Sequence, residues 1–180
     1  MSPLKYIVAS ILLMVVSVQA YAQHQKFSEC IGSEYVSKFG LVTFGSPLKT
    51  HRLEGDVVFK CIDTGKDIFG DYGVLQSLSD TTVIIQSHWK LDKFENFTTK
   101  SFYDDLVKRY GKKATSNAYK GLTSRGMPIS LFIIARGEPT SWRTYDSKYG
   151  TTDVLTYMYS DDYDAYTFKN GKLESSNEGY

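Results

Sequence analysis

Residues 126–139 read GMPISLFIIARGEP and predict one short, mostly apolar helix. Pro128 suits a first helical turn, because its missing amide hydrogen would be unpaired there anyway. Gly137, followed two residues later by Pro139, is typical of a helix end. Leu131–Ala135 is apolar or small throughout, so we expect this helix to be largely buried. A buried strand is the rival interpretation.

The residues after this helix alternate polar with apolar side chains, which is typical of short antiparallel strands. The candidate strands are Asp153–Tyr159, Tyr163–Lys169 and Lys172–Ser176. Asn170 and Gly171 have the composition of a two-residue hairpin turn. We therefore predict that residues 121–180 form a C-terminal subdomain in which one helix lies on a three-stranded meander.

This segment resembles the small envelope proteins of the BamE (SmpA/OmlA) type, whose half-barrel fold is shared by secreted β-lactamase-inhibitor proteins. The resemblance covers Gly126–Ser176. The matching pieces are Gly126-Met127, a nine-residue helical insert, Gly137-Glu138-Pro139, Tyr157-Met158-Tyr159, and Tyr166-Thr167-Phe168 leading into Asn170-Gly171-Lys172-Leu173. It implies the half-barrel fold and a protein that acts by binding other proteins. Phe39–Gly111 looks like uncharacterised exported bacterial proteins, which implies no activity.

Residues 23–120 predict a second subdomain, beginning with a polar arm over Gln23–Glu34. Its candidate strands are Phe39–Phe44, Asp56–Ile62, Tyr72–Leu78 and Thr82–Leu91. The charged stretch Asp63–Asp71 is interpreted as a loop, and Trp89 as an anchor of the core.

Thr98–Tyr110 changes to helical period, with apolar residues four positions apart at Phe102, Leu106 and Tyr110. The polar stretch Lys112–Arg125 is interpreted as a connection between the two subdomains. The predicted fold class is therefore α+β, with antiparallel sheets packed against two helices.

The first 22 residues have the pattern of a secretory signal peptide. Lys5 precedes an apolar stretch from Ile7 to Val18, and small residues mark a cleavage site near Ala22. The apolar stretch is about twelve residues long, whereas a membrane span needs roughly twenty. We expect export to the periplasm or out of the cell, with no membrane span in the mature chain.

The charge balance argues against a polyanion partner. The chain carries 21 basic and 20 acidic residues, and removal of the leader takes away one base and no acid. A mature net charge of zero gives no electrostatic basis for binding nucleic acid.

Cys30 and Cys61 are the two cysteines of the chain. Exported proteins normally meet an oxidising compartment, so we predict a disulfide between them. Two buried thiols or a metal site are the alternatives. A metal would need further ligands, and His24, His51 and His88 are not at ligand spacing to the cysteines. The sequence predicts neither a metal nor a cofactor.

Tyrosine is abundant, with fourteen in the chain, and it is concentrated together with tryptophan after Pro139. Core positions are expected for Tyr157, Tyr159, Tyr166 and Phe168. Exposed positions, in loops or at strand ends, are expected for Trp142, Tyr145, Tyr149 and Tyr163. Because tyrosine and tryptophan are favoured at protein interfaces, these last four are the candidate contact residues.

Catalytic patterns are weaker. His51 is interpreted as a loop residue and His88 as a solvent-facing strand residue, so neither selects a nucleophile. The cluster Asp161, Asp162 and Asp164 lacks the glycine and the terminal glutamate of a calcium loop. We therefore predict a non-catalytic module that binds another envelope or secreted protein. An inhibitor or immunity protein against a secreted enzyme, and a hydrolase with an unrecognised site, are the alternatives.

Overall fold

The computed structural model describes residues 30–44, 49–68, 70–88, 96–160 and 162–178. The strands within these ranges are β1 (Glu34–Ser37), β2 (Gly40–Phe44), β3 (Lys49–Leu53), β4 (Val58–Asp67), β5 (Gly70–Ser77), β6 (Ile84–His88), β7 (Phe97–Thr99), β8 (Ser141–Ser147), β9 (Gly150–Tyr159), β10 (Asp162–Lys169) and β11 (Lys172–Glu178). The helices are α1 (Lys100–Tyr110), α2 (Lys112–Tyr119) and α3 (Ile129–Arg136). The predicted leader and the predicted anchor Trp89 lie outside the described residues.

The described strands form two main antiparallel sheets and confirm the α+β class. The first has the order β6-β5-β4-β1-β7, and the second has the order β11-β10-β9-β8. Strands β2 and β3 pair with each other as a separate ribbon. Within the described residues the two predicted subdomains thus contribute one main sheet each and do not share a continuous one.

Both predicted helices are present, and α3 resolves the choice between a helix and a buried strand at residues 126–139. α1 starts after Thr99, whose side chain accepts a hydrogen bond from the Phe102 amide, and it ends at Gly111. Pro128 immediately precedes α3 and Gly137 follows it. Leu131 and Phe132 of α3 are fully buried, as expected from the apolar run. None of the described helices combines the length and the apolar character needed to cross a bilayer.

The structure corrects the interpretation of Lys112–Arg125 as a connection, because its first eight residues form α2. The buried positions of α2 are Thr115, Ala118 and Tyr119. They have helical spacing, but the first of them is polar, so the segment shows no apolar stripe in sequence.

The C-terminal meander has four strands where three were expected. Its additional strand, β8, contains Trp142 and Tyr145, which were expected in loops or at strand ends. It pairs in unbroken register with β9. The expected loop at Asp63–Asp71 is also wrong, since β4 continues to Asp67 and β5 starts at Gly70.

Besides β8, three further strands were not predicted. They are β1, β3 and β7. β1 lies between β4 and β7 in the first sheet, so it is a central strand although it follows a stretch interpreted as an arm. β3 contains His51, which is therefore in a strand and not in a loop.

Two apolar clusters form the core. The larger one joins Val36, Tyr103 and Tyr119 to Phe132 and Leu155, so it includes residues on both sides of the predicted boundary at residue 120. The smaller one packs on the first sheet and contains both cysteines with Tyr35, Phe59 and Phe97. Residues 121–180 are therefore packed on the rest of the chain through a shared core.

Candidate functional site

The second sheet has one face turned to the core and one face turned outward, as strand alternation requires. On the inner face Leu155, Tyr157, Tyr166 and Phe168 are buried against Phe132 of α3. The outer face carries the alternate residues, and none of them belongs to the apolar core clusters. The registers assign to it Ser141, Arg143, Tyr145, Ser147, Thr152, Val154, Thr156, Met158, Tyr163, Ala165, Thr167, Lys169, Lys172, Ser175 and Asn177.

One end of this outer face carries a pair of large apolar side chains. Tyr163 of β10 lies directly opposite Met158 of β9. They are 52% and 64% exposed, respectively. Directly opposed side chains on one face of an antiparallel pair are close enough to form a continuous surface. Tyr163 was predicted as a contact residue, whereas Met158 had no signal in sequence beyond its place in an alternating strand.

The opposite end carries the second pair of exposed aromatic residues. Tyr145 of β8 is 54% exposed and opposes Thr152, and Tyr149 is exposed in the turn that joins β8 to β9. Thr152 and Met158 are six residues apart on β9, which corresponds to roughly 20 Å along the strand. The candidate residues therefore occupy the two ends of one face and do not form a single patch.

Trp142 is the candidate that the structure places elsewhere. It lies on the inner face, partly buried against the larger core cluster, so the expectation of an exposed indole is wrong. Its Nε1 donates a hydrogen bond of 3.0 Å to Asp153, whose carboxylate also accepts a 2.7 Å bond from Thr144. Trp142 therefore helps to fasten β8 to β9, because its indole needs this partner to be buried.

Tyr159 is the one member of the predicted core set that is exposed; Tyr157, Tyr166 and Phe168 are buried as expected. It lies at the end of β9, one residue past the exposed Met158, and pairs with Asp162. Alternation puts it on the inner face, but the buried part of β9 ends at Tyr157. Tyr159 is thus exposed beyond the end of the core and is not part of the outer-face surface formed by Tyr163 and Met158.

Among the paired residues of the outer face, every charged side chain is positive. Arg143, Lys169 and Lys172 lie there, while the aspartates of β9 and β10 belong to the inner face. Asp164, for example, accepts a 3.1 Å hydrogen bond from Arg136 of α3. Glu174 occupies the bulge of β11 and is outside this register. The outer face therefore combines exposed aromatic residues with a mild excess of positive charge.

A polar cluster in the N-terminal unit also brings reactive side chains together, and it has no signature in sequence. The Asp56 carboxylate, in the turn between β3 and β4, accepts hydrogen bonds from Tyr103 and from Ser116, the latter over 2.6 Å. Lys112 lies 3.4 Å from Asp56 and 2.5 Å from the Tyr103 hydroxyl. The Asp56 side chain is only 12% exposed.

The electrostatics of this cluster do not suit nucleophilic catalysis. Burial acts to raise the pKa of Asp56, but the hydrogen bonds from Ser116 and Tyr103, together with Lys112, outweigh it and hold the pKa below its usual value. A carboxylate with a lowered pKa is a weak base for Ser116. Burial and the bond to Asp56 also raise the pKa of Tyr103, which keeps the phenol protonated. The cluster therefore acts as a structural clamp between the turn and the two helices.

Histidine and metal chemistry gain no support from the described part of the chain. His51 lies in β3 and His88 is the last residue of β6, so the two histidines come from different strands. Among the described residues no three His, Cys, Asp or Glu side chains are grouped as metal ligands. Of the predicted acidic cluster, Asp161 lies outside the described residues and Asp164 is held by Arg136.

Both cysteines are buried in the smaller core cluster and are present as thiols, with no bond between their sulfurs. The turn that starts at Cys30 is bound to Cys61 through its backbone, since the Gly32 amide donates to the Cys61 carbonyl and the Cys61 amide donates to Ser33. Burial, and after it the nearby Cys30, raises the pKa of Cys61. The predicted disulfide remains a prediction.

No family model, no curated protein and no solved structure matches this chain. The resemblance of Gly126–Ser176 to BamE-like envelope proteins accordingly remains an expectation drawn from the sequence.

Proposed function

We propose that this chain is an exported, non-catalytic module that binds another envelope or secreted protein through the outer face of its second sheet. The observation that carries the proposal is the exposed pair Tyr163 and Met158, standing opposite each other on a face that contributes nothing to the core. Exposed aromatic and methionine side chains on one surface are typical of protein contact sites. The pattern of a leader over residues 1–22 supports export.

The charges of the same face indicate the kind of partner. Arg143, Lys169 and Lys172 would attract a protein surface that carries carboxylates. Nucleic acid is a poorer fit, because the chain as a whole has nearly equal numbers of basic and acidic residues. We therefore propose an acidic protein surface as the partner of this face.

The test is site-specific photo-crosslinking in intact cells. A photoreactive amino acid replaces Tyr163 in one variant and Lys108 in another, since Lys108 is an exposed residue of α1 and is not part of the second sheet. We expect a discrete crosslinked protein from the Tyr163 position and none from the Lys108 position. Equal crosslinking from both positions, or none from either, would overturn the proposal.

A matched pair of substitutions then tests the contact itself. Tyr163→Ser together with Met158→Ser should abolish capture of the crosslinked partner, whereas Tyr149→Ser, in an exposed turn at the other end of the face, should leave it intact. Trp142→Ala is unsuitable for this purpose, because loss of its packing and of its bond to Asp153 would perturb the fold. If the captured partner is a secreted enzyme that loses activity on binding, the module is an inhibitor or immunity protein.

A further inference from the structure

The two edges of the second sheet differ in how they are protected. At β11 the edge is partly covered by the chain before α3. Gly126 and Ile129 donate backbone hydrogen bonds to this strand or its turn, and Leu173 donates one back to Met127. At β8, the other edge, the described strands provide a neighbour on one side only. An uncovered edge strand is a template for pairing with a further strand.

β8 also lacks several of the features that usually prevent such pairing. It is seven residues long, contains no proline and no lysine, and keeps its register with β9 without a bulge. Six of its seven residues are exposed, and the exception is Trp142. Its two charges, on Arg143 and Asp146, are of opposite sign, so the strand has no net charge that would repel an identical strand. A strand of this kind is suited to pair with a partner strand.

We propose that β8 pairs with β8 of a second copy of this chain, in antiparallel orientation about a two-fold axis, so that two four-stranded sheets become one continuous sheet. This inference concerns the edge of the sheet and does not depend on the proposed function of its outer face. Two-fold symmetry is the commonest way in which identical chains associate, because one surface then serves both partners.

Self-pairing selects one register. A two-fold axis perpendicular to the sheet keeps the outer faces of both copies on the same side. Outer-face residues then lie opposite outer-face residues. At the axis, one residue of β8 lies opposite its own counterpart. Thr144 is the central residue of β8, and only an axis beside Thr144 pairs all seven residues. An axis beside Arg143 would set two guanidinium groups against each other, which is unfavourable.

In the Thr144 register the opposed residues are complementary. Arg143 of each copy lies opposite Tyr145 of the other on the outer face, a cation–π pairing that occurs twice. Thr144 opposes its own counterpart, and threonine pairs are favourable across antiparallel strands. No charge faces a like charge, because Asp146 lies opposite Trp142. The chemistry of β8 therefore fits a second copy of itself.

The test uses the protein expressed with its own leader and purified as the cell processes it, with its mass in solution measured by sedimentation equilibrium over a range of concentrations. We expect a monomer–dimer equilibrium. Tyr145→Lys places an ammonium group opposite Arg143 of the other copy at both symmetric positions. It should raise the dissociation constant of the dimer about tenfold or more. Asn177→Lys adds the same charge to the outer face at the other edge of the sheet and should leave the dimer unchanged.

Charge reversal separates pairing from simple surface disruption. Adding Arg143→Glu to Tyr145→Lys sets opposite charges against each other in the same register, so the double variant should dimerise again, now with a dependence on salt. A wild-type chain that stays monomeric at its highest soluble concentrations would overturn the proposal, as would a dimer indifferent to Tyr145→Lys. Hydrogen-exchange protection of β8 in such a monomer would mean that another segment of the same chain covers the edge.

Discussion

The Ser116 hydroxyl donates a 2.6 Å hydrogen bond to the Asp56 carboxylate, although sixty residues separate them along the chain. Tyr103 and Lys112 reach the same carboxylate from α1 and the start of α2. The turn between β3 and β4 is thereby fixed to both helices through one side chain. Asp56 also has a positive φ of 68°, a backbone conformation that aspartate and asparagine tolerate better than most residues.

The charge of Asp56 should make stability depend on pH. Its folded-state pKa is lowered, so its contribution is present above the unfolded pKa and is lost as the pH falls through the folded value. Asp56→Asn keeps the shape and tolerates the backbone conformation, and we expect it to lower the free energy of unfolding by about 1–2 kcal/mol at neutral pH. The difference should shrink below about pH 4, as measured by urea denaturation at pH 7 and pH 3.

Asp105→Asn is the matched control, because its ion pair with Lys108 is fully on the surface of α1. Such pairs contribute little to stability, so this variant should behave as wild type at both pH values. A pH-independent effect of Asp56→Asn would contradict a role for the charge of Asp56 in the clamp.

Gly55 is the position where the backbone of the same turn meets α2. A Cβ atom there would overlap the carbonyl group of Tyr119 and would lie 2.8 Å from the Lys120 Cα. These are backbone atoms, and the Tyr119 carbonyl already accepts a 2.6 Å hydrogen bond from Phe39, so they cannot easily move aside. We expect Gly55→Ala to destabilise the protein by about 3 kcal/mol, measured by thermal and urea denaturation.

Gly126→Ala separates steric overlap from backbone strain. Gly126 has a φ of +84°, but a Cβ atom added there would meet no other atom within 4 Å. Its substitution should therefore cost only the strain, about 1–2 kcal/mol. An effect of Gly55→Ala no larger than that of Gly126→Ala would contradict close packing of the turn on α2.

Gly150 combines both effects in the turn between β8 and β9. Its φ is +122°, and a Cβ atom would overlap the side-chain amide oxygen of Asn170, which accepts a 3.1 Å hydrogen bond from the Thr151 amide. Gly150→Ala should therefore cost roughly 2–3 kcal/mol. Asn170→Gly in the same chain removes the overlap and should recover about 1 kcal/mol of that loss in a double-mutant cycle. Purely additive effects would show that backbone strain alone is responsible.

The sequence predicts those elements whose signals are local. Phe102, Leu106 and Tyr110 recur at helical spacing between a threonine cap and a glycine, so α1 needs no tertiary information to be recognised. α2 differs, because its buried positions include Thr115 and its burial comes from contact with the rest of the core. Its sequence therefore looks like a polar connection, because no apolar stripe marks the face that becomes buried.

The candidate surface illustrates the same limit. Trp142 and Tyr145 are neighbours in an aromatic-rich stretch, but they are three residues apart in a strand, and an odd separation places them on opposite faces. Once β8 is recognised as a strand, one becomes an inner-face anchor and the other an exposed residue. The Asp56 clamp was even less predictable from the sequence. The residues that bind its carboxylate lie 47 to 60 positions further along the chain and follow no local pattern.

Cys30 and Cys61 share one buried cluster and are linked through the backbone of the turn at residues 30–33. We expect them to form a disulfide on export, when two thiols transfer two electrons and two protons to an oxidant such as oxidised glutathione. The bond would close a loop of about thirty residues and stabilise the protein by about 3 kcal/mol.

Because burial raises the pKa of Cys61, oxidation of the folded thiol form should be slow and should speed up at alkaline pH. Non-reducing electrophoresis and mass measurement of the exported protein check the bond. Cys30→Ser and Cys61→Ser should lower its stability to the same extent, and full thiol reactivity of the unfolded exported protein would contradict the pairing.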